Sequence, residues 1–200
     1  MEPGRWRSFA VCVGLLAIVP GVAAAQLDPA TAVDAPASVR AIASFALVLL
    51  FGGALLVRDD GFVDRSVDAL KERPLASVVY GGIAYGLVGF GCAYGISQLA
   101  RLGGGSAVVL IVGTAIAGIV LLTLAGLGFV VVGTLLTEIQ GQRQPWTGLV
   151  VGASIGAVVW FALPLLAGVV AWLLVTAIGI GGPTRKWINA SQDAPVETGG

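Results

Sequence analysis

Long apolar runs separated by short polar breaks make up most of this chain. They cover residues 41–57, 75–100, 106–137 and 148–182. At about 1.5 Å of helix rise per residue, the first is just long enough to approach a hydrocarbon core of about 30 Å. The last two exceed what one span needs. Pro164 falls near the middle of the fourth run, with Gly168 just beyond. A proline there removes a backbone donor and clashes with the preceding turn, so the run is expected to break into a two-helix hairpin. The pattern predicts an all-α membrane protein with about four apolar helical segments, the last one folded back on itself.

The polar break at 58–74 has a pattern of its own. Val63, Val67 and Leu70 recur at helical spacing beside Phe62, while Asp64, Arg65, Asp68, Lys71 and Glu72 turn to the other side. This predicts a short amphipathic helix over 62–73 that docks on the membrane surface through Phe62, Val63, Val67 and Leu70. A solvated charged loop is the plainer alternative. Pro74 cannot continue that helix but suits the first turn of the next one, so it is read as a second helix break. Residues 58–73 hold four bases and five acids, which does not support a polybasic lipid-binding patch.

Composition agrees with a membrane protein. Hydrophobic residues make up 57% and charged residues 11%, well below the charged share of a soluble domain. Lys plus Arg equals Asp plus Glu, so bulk charge gives no reason to expect nucleic-acid binding, and none is expected. The chain has no histidine, which removes His-based triads, His metal sites and an imidazole switch. Residues 1–25 read as an export signal. Arg5 and Arg7 precede the apolar stretch 9–19, and Ala23, Ala24 and Ala25 form the cleavage site before Gln26. An uncleaved signal anchor is the alternative. Residues 26–40 read as a short exterior arm, 41–184 as the membrane domain and 185–200 as a polar tail. Cys12 would leave with the signal, and Cys92 is then a lone packing residue. Arg58, Arg65, Lys71 and Arg73 place the 58–74 loop in the cytoplasm of a multi-pass cell-membrane protein. The mature N-terminus is then outside, and a hairpin over 148–182 returns the C-terminus to the cytoplasm.

Candidate chemistry is sparse. Asp59, Asp60, Asp64 and Asp68 resemble the Asp-rich loops that hold magnesium in membrane-bound transferases, but Glu138 alone could join them from another segment. Helix-start acids on a solvated face are the better reading, and no catalytic, cofactor or metal residue is expected. Deep within the apolar runs there is no Asp, Glu, Lys or Arg of the sort that coupled carriers use. Neutral polar groups such as Tyr85, Tyr94, Ser97, Gln98, Thr114, Thr123 and Ser154 suffice for hydrogen bonds between helices. Glycine spacing is the strongest positive signal. Gly148, Gly152 and Gly156 form GxxxGxxxG, and Gly82 with Gly86 and Gly91 with Gly95 form GxxxG pairs. Such spacing lets helix backbones approach closely, within one subunit or in a homo-oligomer.

The order of these parts resembles the membrane domain associated with prokaryotic bactofilin-type polymer-forming cytoskeletal proteins. The matching stretches are VDALKERPLASVVYGG, which leads from a charged helix through Arg-Pro into a glycine-rich span, and the closing GLVVGASIGAVVWFALPLLAGVVAWLLVTAIGIGG. The resemblance covers about residues 41–184 and lacks the polymerising β-helical domain. It implies a non-enzymatic protein that anchors or organises a bactofilin-like scaffold at the cytoplasmic membrane, with the lipid bilayer and that scaffold as partners. A small neutral-solute channel or transporter accessory subunit is the alternative.

Overall fold

A computed structural model describes residues 35–102, 106–139, 141 and 144–192, so the expected export signal and its cleavage site lie outside the described residues. The described chain forms α1 (Ala37–Arg58), α2 (Asp60–Glu72), α3 (Pro74–Leu102), α4 (Ala107–Ile139), α5 (Pro145–Ala162) and α6 (Leu165–Gln192). All but α2 are long and apolar enough to cross a membrane, which makes this an all-α, multi-pass membrane protein.

Single residues make the joints. Asp59, extended at φ −154°, ends α1 and caps α2, its Oδ1 accepting from the Phe62 N–H at 3.0 Å. That satisfies one of the free donors at a helix start. Arg73, at φ −151° and ψ 82°, leaves the helical region before Pro74, which disfavours that region in the residue preceding it, and Pro74 opens α3. Leu163 repeats the arrangement before Pro164 and separates α5 from α6. The third apolar run, by contrast, is one unbroken helix of 33 residues.

Contacts between helices fix their directions. Phe129 and Gly133 of α4 lie against Gly152 and Gly148 of α5, which makes that pair antiparallel. Ser44 and Gly52 of α1 meet Gly156 and Leu149 of α5, again antiparallel. Gly81 and Ser77 of α3 meet Ala177 and Gly181 of α6 in the same sense. Thus α1, α4 and α6 run toward the end of the bundle that carries α2, and α3 and α5 run away from it. Residues 145–192 form the expected hairpin, with Trp160 of α5 closing its turn over Gly168 of α6.

Two boundaries differ from expectation. Residues 37–40 belong to α1 rather than to an arm, and residues 185–192 continue α6 rather than forming a polar tail. Pro183 sits inside α6. The helix survives it because tertiary contacts hold both sides of the proline: Gly182 is pressed on α2 and Arg185 is buried.

Candidate functional site

The charged end of the bundle is built around α2. Val63, Val67 and Leu70 are at most 2% exposed, packed with Leu56, Leu127, Val130 and Ile180, and Phe62 packs against the same cluster half-buried. The amphipathic pattern is therefore real, but its apolar face is covered by the protein's own helices. The expected docking of Phe62, Val63, Val67 and Leu70 on the membrane surface is corrected accordingly. Periodicity reports that a face is buried and is silent about what buries it.

Ion pairs hold the rim of α2. Lys71 pairs with Glu138 at the end of α4. Glu72 accepts from Arg185 at 2.6 Å and from Lys186 at 3.0 Å, both on α6. The guanidinium of Arg185 also donates to the Ala69 carbonyl at 3.2 Å. That carbonyl belongs to the last turn of α2, where acceptors lack helical partners, so Arg185 caps the helix from across the bundle. The Lys186 hydrogen bond, followed by the Lys186 and Arg185 charges, holds the Glu72 carboxyl below its ordinary range against a smaller opposing effect of desolvation. On the solvent side, Arg65 pairs with the capping Asp59 at 3.0 Å. Among the described residues no three His, Cys, Asp or Glu side chains converge in a way that could hold a metal ion.

Sequence reasoning missed Arg185, because Pro183 and the polar residues after it read as the end of the span. A signal was present: Ala177, Gly181 and Arg185 continue one row at four-residue spacing.

The last turns of α6 touch three other helices through glycine. A Cβ on Gly179 would strike the backbone of Gly128 in α4, and one on Gly181 would strike the Ser77 carbonyl in α3. One on Gly182 would come within 2.8 Å of the Leu70 nitrogen in α2. Gly148, Gly152 and Gly156 all sit at a close crossing, against Thr134, Phe129 and Ser44 respectively. Gly82, Gly86, Gly91 and Gly95 do not, since a Cβ at any of them would meet nothing within 4 Å. Within this chain they make no close helix contact, so the expectation of packing inside one subunit is corrected for them. In α3 the close contact belongs to Gly81, which is turned by about 100° from Gly82.

The neutral polar groups also behave differently from expectation. The hydroxyls of Ser97, Thr123 and Ser154 donate to Tyr94, Ile119 and Val150 carbonyls of their own helices rather than across the bundle. Tyr85 meets Trp172 edge-on, and Trp172 also leans on Phe129. Cys92 is half-buried in α3.

No curated protein and no solved structure matches the chain. One family profile does, across residues 1–188, and the chain belongs to that family, described as Domain of unknown function (DUF8173).

Proposed function

We propose that this chain is a non-enzymatic membrane anchor that holds a cell-envelope or cytoskeletal scaffold, of the bactofilin type implied by the resemblance, at the cytoplasmic face of the cell membrane. The observation that carries this reading is the immobilised α2. Its inner face is locked in the core and its end is capped by Arg185, so Arg65, Asp68, Lys71 and Arg73 are displayed on a fixed platform. A rigid helix presenting mixed charges loses little freedom on binding and suits electrostatic recognition of a protein partner. The cytoplasmic orientation is supported by charge. Arg58, Arg65, Lys71, Arg73, Arg185 and Lys186 gather at the α2 end, while Arg40 and Arg101 lie toward the other.

The bundle interior favours an anchor over a conduit. Helix backbones meet directly at the glycine crossings, leaving them no separation for a solute path. Co-sedimentation of a purified bactofilin polymer with proteoliposomes tests the proposal. The polymer is expected to pellet with the unmodified protein, and much less with an Asp68→Lys, Arg73→Glu variant that keeps its fold. Equal sedimentation with empty liposomes, together with passage of a neutral solute such as glycerol through the protein-containing ones, would favour the channel reading.

A further inference from the structure

The bundle is uneven in height. Residues 41–57 of α1 lie between Arg40 and Arg58, an uncharged length of about 26 Å. Residues 74–100 of α3 lie between Arg73 and Arg101, about 40 Å, and residues 107–137 of α4 run uncharged for about 46 Å. Relative to α5 and α6, the extra length is at the end opposite α2. Trp172 of α6 is level with Tyr85 of α3, yet α6 begins at Leu165 while α3 continues to Leu102, about 15 Å further. Phe129 of α4 is level with Gly152 and Gly156, and α4 passes the end of α5 by about 20 Å. The α3–α4 pair thus stands above its neighbours, closed on itself where Leu99 and Ile96 meet Gly113.

That standing pair is apolar on most of its surface. Val108, Ile111, Val112, Ile116, Ile119 and Val120 are each at least 40% exposed and spread around about half of the α4 circumference. Beside them a groove of about 340 Å³ is lined by Leu99, Val108, Val109, Val112, Gly113 and Ile116. A protein partner covers a stripe, whereas an exposed apolar surface this wide on two helices matches the solvent that surrounds a membrane helix on every open side. A core of about 30 Å fits α1 and α5 but falls well short of α3 and α4. Tilting the whole molecule to sink the taller pair would drag the charged ends of α1 into hydrocarbon, so tilt cannot serve both sides.

We propose that the α3–α4 pair is a lipid-binding surface for the long acyl chains of a thick bilayer, and that the membrane thickens along this side of the molecule. The test uses the full chain with Cys12→Ser and Cys92→Ser, labelled with an environment-sensitive fluorophore at Leu102→Cys or Val108→Cys, both outward-facing positions. The protein is reconstituted into phosphatidylcholine vesicles with acyl chains from about 14 to about 22 carbons, with and without brominated chains. Emission from both labels is expected to shift to the blue as the chains lengthen and to lose most of its intensity to brominated lipid in the thick bilayers. The melting temperature should rise over the same series. Water-exposed emission at every chain length would overturn the proposal. So would labels shielded from both water and brominated lipid throughout, the result expected if a second copy covered the surface.

Discussion

A methyl group added at Gly81 would land on the Ala177 carbonyl, and one added at the adjacent Gly82 would meet nothing within 4 Å. The two positions are adjacent glycines, so residue type could not separate them. Gly81→Ala forces two backbones apart, and overpacking of that kind costs about 1–3 kcal/mol. Gly82→Ala or Gly86→Ala relieves the helix penalty of glycine and should be neutral or stabilising by up to about 1 kcal/mol. Melting in detergent distinguishes them: equal effects at 81 and 82 would mean that α6 does not lie where described. Glu72 gives a second prediction at this scale. Its carboxyl is held below the ordinary range in the folded protein, so its clamp contributes above the usual carboxylate pKa of about 4.3 and is lost as pH falls through the lower folded value. The melting temperature of the unmodified protein should therefore drop more steeply below that range than that of Glu72→Gln. Parallel curves would remove the linkage. Arg185 was hidden from sequence reading for a comparable reason: its partners, Ala69 and Glu72, are more than a hundred residues away.

Helices were the most legible level. Mean hydropathy and proline placement mark α1, α3, α4 and the break between α5 and α6, because a span must be long, apolar and internally hydrogen-bonded whatever surrounds it. The same rule failed at Pro183, where contacts on both sides outweigh one missing N–H. For α2 the pattern revealed the buried face and hid its partner, and the distinction has a measurable consequence. Leu70 is 2% exposed in a protein core, so Leu70→Ala should cost about 2–5 kcal/mol. Hydrogen exchange along residues 60–72 should speed up in that variant. If α2 instead rested on lipid, truncation would alter membrane depth and leave the melting of α4 and α6 unchanged.

At the scale of the molecule, the five spans among the described residues put Ser38 and Trp187 at opposite ends, with Asp68 at the same end as Trp187. In a Cys92→Ser background, an impermeant maleimide on intact cells should label Ser38→Cys and spare Asp68→Cys and Trp187→Cys. Labelling of Asp68→Cys and Trp187→Cys but not Ser38→Cys would invert the orientation, and labelling of Ser38→Cys and Trp187→Cys together would break the topology. The alternation of the spans was legible from the apolar runs and from Pro164, since each span must be long and internally hydrogen-bonded; the uneven height was not, because it depends on which residues lie level across the bundle. The central place of α6 carries a further consequence, for biogenesis. A ribosome delivers this helix after the five others described, yet its glycines are the surface on which α2, α3 and α4 close. The Ser77–Gly181 and Gly81–Ala177 contacts join segments about a hundred residues apart, so the entropy of closing that loop precedes any gain from the contacts. Until α6 inserts, the nascent chain offers membrane chaperones and proteases an open seam along α3 and α4, and a ribosome stalled before residue 165 would leave a product that quality control can recognise by that seam.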